Sequence, residues 1–490
     1  MSVSGVLEFD TVIVGGGSAG CALAARLAEH PGHRVLLLEA GPVDSAPKLR
    51  DVASLAVTDP AHPRNWAYPA QLRAGRVAVV PRGRCLGGSS AINAANWVRP
   101  HPADADDWGL PGWSWKELLP YYVRCESDHD FAGPLHGSHG PMPVRRAAGA
   151  LLHPAAERML AAADRLGFPA EPDKNSGGPP GVGLVPSNSV DGVRICAATA
   201  YLRAQRPGLT VRGDAAVARL LFDGDRARGV QLRNGRVLEA GEVVLAAGAV
   251  ASPHLLLLSG IGPADELRTA GVPVRLDLPG VGHGWSDHPA VFLPFTTADP
   301  PGHPHGHSSQ AAVNLDCGAD PAGDAEVLLF NRPFVPVGEL HLMCALQAPD
   351  SRGAITLTAA DPAVAPSISY RYLQTEHDRR RLRHAIRTAA ELLRAGLGTR
   401  TSPGGDVLGS DRTLDGWIAE HLTTSVHLSG SAAIGPVLDE QLRVHGVPGL
   451  RVVDTSVLPV VPRRGTAATA VAIGEKAADL IRPPHEADPT

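Results

Sequence analysis

Cysteine is scarce in this 490-residue chain. Six are present, at 21, 85, 125, 196, 317 and 344, and no two stand as a CxxC pair. Scattered thiols exclude a disulfide-stapled scaffold or a zinc framework and fit reduced thiols in the cytoplasm. Long apolar runs are missing too: none approaches the ~20 residues of a membrane span. The N-terminus, with Glu8 and Asp10, lacks the basic-then-apolar order of a secretory leader. Nor is basic charge concentrated anywhere. Lys and Arg number 45 against 50 Asp and Glu, a net −5 spread along the chain, which argues against nucleic acid or an anionic membrane surface as partner. His303, His305 and His307 share one loop but have no acidic or cysteine partner at usable spacing, so no metal is expected.

Glycine and proline are abundant, at 54 and 44, and their placement carries the information. Asp10 to Gly20 reads DTVIVGGGSAG, followed by the Ala/Leu-rich CALAARLAEH and by RVLLLEAG. This is the strand, glycine turn, helix, strand, acid order of a dinucleotide-binding unit. Gly15 permits the sharp turn, Gly17 the approach of a pyrophosphate, and Gly20 the close packing of helix on strand. The helix start offers its amides and positive dipole end to phosphate. Glu39, ending the second strand, is placed to accept hydrogen bonds from a ribose diol.

Further along, PRGRCLGGSSAINAANWVRP (81–100) offers a second array of backbone donors before a helix-like AINAANW. Residues 101–190 are less regular, with tryptophans at 108, 113 and 115 as packing anchors and a helix from Leu151 to Leu166. From Gly192 short alternating strands with Asp-Gly and Asn-Gly turns form a meander of hairpins. A strand from Glu242 to Ala246 and a helix within 248–263 follow. Residues 290–420 predict strands near 326–330, 340–348 and 354–358, then a basic helix at 376–395 whose arginines (379, 380, 381, 383, 387) form a solvated face. A strand at 450–453 and an amphipathic helix at 466–481 close the chain.

Five separated motifs together resemble the glucose–methanol–choline (GMC) family of FAD-dependent oxidoreductases. They are VGGGSAG with Glu39, GRCLGGSSAIN (83–93), GAVASPHLLLLSGIGP (248–263), GVGHGWSDHP (280–289) and the LRVHGVPGLRVVDTSVLP…AIGEKAADLI ending. The resemblance implies an α/β fold: a discontinuous Rossmann-type FAD domain from 1–100, 192–290 and 425–490. An α+β substrate domain would come from 101–191 and 291–424. It implies that Gly15, Gly17, Ser18, Ala19, Gly20, Glu39 and Ala40 hold the ADP half and that the Val217 backbone meets the adenine. Trp66, Cys85, Gly88, Asn93, Ala94, Ala95, Asn96, Asp454 and Thr466 would lie along the rest of the cofactor. Some relatives attach FAD through a histidine where this chain has Ile92, so the FAD is expected to be non-covalent.

For chemistry, the resemblance aligns His427, which opens HLSGSAAIG, with the family base. A histidine suits proton removal near neutral pH. The family's second catalytic side chain falls at Gly465, whose neighbour Arg464, preceded by Arg463, is the nearest group able to stabilise an oxyanion or clamp a carboxylate. Alternatively, both arginines face solvent or cap a chain end. The implied reaction is oxidation of a small-molecule alcohol, with oxygen or a redox partner accepting the electrons. RRGTAATA also looks like the mycofactocin-associated GMC enzymes. A lyase or decarboxylase without net flavin reduction, and a non-catalytic flavoprotein, are the competing readings.

Overall fold

The structure is a computed structural model and describes residues 8–44, 47–300, 302–318, 320–333 and 338–481. The outer ends of the first and last expected segments, 1–7 and 482–490, lie outside the described residues.

Strand β1 (Phe9–Val14) is buried along nearly all its length, as a strand covered on both faces of a parallel sheet must be. Helix α1 (Ser18–Leu27) crosses back to β2 (Val35–Leu38), which runs parallel to β1 with Thr11 opposite Val35 and Val14 opposite Leu38. Strand β3 (Leu209–Arg212) adds outside β2. The expected meander is β4 (Val217–Asp223), β5 (Arg226–Leu232) and β6 (Val237–Leu245). Strand β6 serves two sheets: Val237 to Glu239 pair antiparallel with β5, whereas Glu242 to Leu245 run parallel to β1. Helix α2 (Gly248–Leu258) follows. Strand β7 (Leu450–Val452) then docks on the free side of β6, and α3 (Ala467–Ile481) returns across α1. At Gly474 that return is tight, because a Cβ there would come within 2.4 Å of the Ala19 carbonyl oxygen.

A second sheet is antiparallel, in the order Pro289–Thr296, Leu340–Leu346, Ala325–Phe330, Ser309–Leu315, Val182–Leu184. Strand alternation gives it two faces. Val291, Leu293, Val327, Leu329 and Leu342 share one core with residues of the helices Pro154–Arg165 and Glu376–Leu392. Phe292, Leu328, Phe330 and Met343 form a separate apolar cluster on the other face.

The hairpin of Tyr68–Arg73 and Arg76–Val80 shares a five-stranded sheet with His283–Trp285, Gly353–Thr356 and Ser367–Ser369, so strand pairing joins segments expected in the two domains. Two expectations are corrected. AINAANW is not a helix; only Gly88–Ala91 makes a 3-10 turn, with Ala95 held at φ 58°. The arginines of Glu376–Leu392 are not all solvated: Arg381 and Arg383 are buried, Arg381 paired with Asp378 and Arg383 with Asp415. No helix among the described residues is long and apolar enough to cross a membrane.

Candidate active site

A cavity of about 1250 Å³ runs from the glycine turn after β1 to the second sheet. At the first end, Gly15 sits at φ 111°, and a Cβ there would fall 2.5 Å from the Ala246 carbonyl oxygen. A Cβ on Gly20 would stand 2.0 Å from the Gly15 carbonyl oxygen. The turn can therefore be built only with glycine at both places. At Gly17 a Cβ would make only an ordinary protein contact, 3.8 Å from Ala246, on the side that lines the cavity. The close approach is made by Gly88, whose Cβ would lie 2.7 Å from the Gly17 Cα. The two glycine loops thus rest on each other. No side chain caps α1, which leaves its first amides free to meet an anion.

Glu39 accepts hydrogen bonds from the amides of Gly16 (3.1 Å) and Gly41 (2.8 Å) and also borders the cavity. Burial pushes its carboxyl up to about 7, against those amides. Each carboxylate oxygen keeps acceptor capacity beyond its one amide.

The chemical centre lies at the junction of Asp287-His288 with Ser425-Val426-His427. Asp287 is buried, and its Oδ1 accepts from the main-chain amides of His288 (2.6 Å) and His427 (2.8 Å), while Oδ2 accepts from the Thr424 hydroxyl (2.9 Å). Burial lifts this carboxyl to about 6. So anchored, the two imidazoles cross almost at right angles (83°), with Nδ1 of His427 3.0 Å from Nδ1 of His288. One of these nitrogens must carry the hydrogen. The His288 ring is completely buried, and burial first, then the neighbouring His427, hold its imidazole well below the usual range, opposed by the carbonyls of Pro462 and Gln347. Its Nε2 has no well-formed hydrogen bond. Which ring donates depends on the tautomer; a hydrogen on Nε2 of His288, toward carbonyls that only accept, would leave an unprotonated Nε2 on His427. That atom lies beside Gly465, where a Cβ would be 3.7 Å away, and both residues line the cavity. Burial first, then the Arg82 guanidinium, push the His427 imidazole down to about 4. At neutral pH it is an uncharged imidazole.

Of the residues expected around the cofactor, Gly15, Gly17, Ser18, Ala19, Glu39, Ala40, Trp66, Gly88, Asn93, Ala94, Asn96, Val217, Asp454 and Thr466 all line this one cavity. Gly20, Cys85 and Ala95 are not among its lining residues. Gly20 is needed for packing. Cys85 is buried with Leu49, Val57, Ala91 and Ile92, and burial pushes its thiol up to about 12. Asp454 also braces the fold. Its carboxylate accepts from the Gly248 amide, the Ser252 hydroxyl and the Ser456 amide, pinning the start of α2 to the segment that follows β7.

Arg464 corrects the expectation most sharply. It is buried and absent from the cavity lining, with Nη1 donating to the Arg463 carbonyl and Nη2 3.8 Å from Glu171. Arg463 pairs with Asp104 at 2.6 Å and with Asp320. Neither one faces solvent or the reacting centre. His288, Arg82 and Glu326 border or support the site but were not singled out in the sequence. The available signals were the SDHP of the fourth motif and a lone acid in the apolar strand AEVLLF.

The two family models for GMC oxidoreductases match residues 9–290 and 349–474. A GMC-type oxidoreductase of Rhodococcus erythropolis with no assigned activity is 39% identical, the alignment covering 96% of this chain and 98% of the relative. An oxygen-dependent choline dehydrogenase of Photobacterium profundum is 32% identical, over 96% and 93% of the two chains. Among solved structures, pyridoxine 4-oxidase from Mesorbium loti superposes with a TM-score of 0.90 at 31% identity, covering 97% of this chain and 99% of its own. A formate oxidase of Aspergillus oryzae superposes with a TM-score of 0.89 at 26% identity, over 96% and 97% of the chains.

Proposed function

Since the chain belongs to the GMC oxidoreductase family and is an FAD-dependent enzyme, we propose that it oxidises a small alcohol to a carbonyl with His427 as general base. The residues fit the cofactor: an uncapped helix start, two glycine loops in contact and Glu39 border one continuous cavity. Gly15, Gly17, Ser18, Ala19 and Glu39 would hold the ADP half, Val217 the adenine, and Asn93, Ala94, Asn96 and Thr466 the flavin half. Ile92 lines the cavity without a group for covalent attachment, so the cofactor is held non-covalently. FAD, when bound, supplies the acceptor for the hydride that leaves the carbinol carbon.

The protein's own part is proton transfer. The substrate hydroxyl gives its proton to His427 Nε2 as the C–H electron pair departs, and the C=O bond forms from the oxygen electrons so released. The new charge on His427 is shared through Nδ1 with His288, a positioning residue, whose ring is bounded by the Pro462 and Gln347 carbonyls. The observation that supports this reading is the Nδ1-to-Nδ1 contact at 3.0 Å, with His427 Nε2 on the side of Gly465 and the cavity; with His288 as acceptor in that contact, Nε2 of His427 is free to take the proton.

The test is an anaerobic panel of alcohols followed by flavin bleaching, then admission of air. Bleaching by at least one alcohol, lost in His427→Ala, is expected. A His427→Ala protein that bleaches at the wild-type rate would remove the base assignment. Colour returning at once in air identifies oxygen as acceptor, whereas persistent bleaching points to a redox partner such as the mycofactocin system.

A further inference from the structure

The second sheet carries one polar group into an otherwise apolar wall of the cavity. Glu326, Leu328 and Phe330 alternate along one strand and all three line the cavity, together with Phe292 and Met343 from the neighbouring strands. In register, Glu326 lies between Asn314 and Ala345, and Ala345 in turn faces Ala290, which pairs with Thr423, four residues before the base. The acid therefore occupies the sheet row level with the His288 and His427 segments.

Its surroundings fix what it can do. Lys174 is buried, and its ammonium donates to Glu171 (2.7 Å), to Asn314 Oδ1 (2.8 Å) and to the Gly181 carbonyl (3.4 Å), using its three hydrogens. Asn314 must then turn its amide nitrogen the other way, and Nδ2 donates to Glu326 Oε2 at 3.2 Å. Among the described residues this is the single side-chain hydrogen bond to a carboxylate that can accept about four. The chain Glu171–Lys174–Asn314–Glu326 thus ends in the cavity as an acceptor. Burial pushes the Glu326 carboxyl up, opposed by the charges of Arg464 and Lys174; the Lys174 hydrogens are already spent, and Arg464 is not among the residues lining the cavity. The carboxylate clamp that Arg464 suggested in the sequence is therefore replaced by a group of the opposite kind.

We propose that the cavity selects an alcohol bearing a second hydrogen-bond donor, a hydroxyl or an amino group remote from the carbinol, and that Glu326 accepts from that donor. This rests on the alcohol-oxidation reading above. A site built to accept from a donor discriminates strongly against an analogue lacking it, because the carboxylate is then desolvated without a partner.

The experiment uses His427→Ala holoenzyme, so that binding is read from the flavin difference spectrum without turnover. It is titrated with primary alcohols of one chain length ending in methyl, hydroxyl, ammonium or carboxylate. The hydroxyl- and ammonium-ended compounds should bind about tenfold or more tightly than the methyl-ended one, with the carboxylate weakest. Adding Glu326→Gln should abolish that preference and improve carboxylate binding, since the amide turns a donor to the cavity. Glu326→Ala repeats the measurement if the amide variant fails to retain flavin. A ranking unchanged by both variants, a preference for the methyl or carboxylate end, or no binding by the whole set would overturn the proposal. Failure of the wild type to oxidise the compounds that bind would count against the alcohol reading alone.

Discussion

His427 and His288 meet Nδ1 to Nδ1 at 3.0 Å, so the two rings share one hydrogen between them at that contact. It makes His288 the residue to vary. His288→Leu keeps the volume but removes the acceptor, so His427 can adopt the tautomer that carries hydrogen on Nε2. Anaerobic flavin reduction should slow by about 10- to 100-fold, at or below the ~10²–10⁴-fold that a positioned base contributes, because the base itself remains. His288→Asn, which can still accept at its amide oxygen, should recover part of the loss. Equal rates in both variants and the wild type would show that the buried ring is only filler.

The pH dependence follows from the same burial. As the proposed base, His427 would have to be unprotonated to act, and its imidazole is held down to about 4, by burial first and by Arg82 second. Activity should therefore be flat through pH 6 to 7 and fall only as the medium approaches pH 4, where the base gains its proton. Arg82 donates to the Val426 carbonyl beside the base. Arg82→Met removes the positive charge, and the acid limb of kcat/KM should move upward by up to about one pH unit. A limb that stays in place would remove Arg82 from the electrostatics of the site.

The first end of the cavity was legible in the sequence for a local reason. Strand, turn, helix and acid are contiguous, and a glycine whose Cβ would strike backbone, as at Gly15 and Gly20, has no substitute. The second end was not legible, because it depends on contacts between distant segments. His288 and His427 are 139 residues apart and are brought together by the Asp287 carboxylate bridging their amides. Arg464 was misjudged because its direction is decided by tertiary packing. Loop position put it beside Gly465, but the carbonyl of Arg463 and the carboxylate of Glu171 draw its guanidinium away. The arginines of Glu376–Leu392 erred likewise, since beside Asp378 on the same helix Arg381 reaches Asp324, and Arg383 reaches Asp415, both distant in sequence.

Gly474 tests the docking of α3 on α1. Its Cβ would lie 2.4 Å from the Ala19 carbonyl oxygen, which is backbone and cannot swing aside. Gly474→Ala gains helix propensity, worth about 1 kcal/mol, but forces the two helices apart where α1 begins. Overpacking of this kind costs about 1 to 3 kcal/mol, so the net change should be destabilising. Thermal unfolding should come several degrees earlier, with less flavin retained. A variant as stable as the wild type would mean that the helices shift without loss.

Glu39 provides a test of cofactor binding that does not depend on turnover. Its carboxyl stands at about 7 because burial outweighs the amides of Gly41 and Gly16. Ribose hydroxyls donating to it would favour the ionised form. In the cofactor-free protein the group is largely protonated at pH 6, and binding must then release that proton, which weakens affinity. At pH 8 the carboxylate is already formed. FAD affinity measured by fluorescence titration of the apoprotein should therefore rise from pH 6 to pH 8, levelling off once the pH exceeds about 7. In Glu39→Gln the rise should vanish and affinity should be low throughout, because the amide offers one acceptor oxygen in place of two. A wild-type affinity that does not change with pH would separate Glu39 from the ribose and leave it as a brace between Gly16 and Gly41.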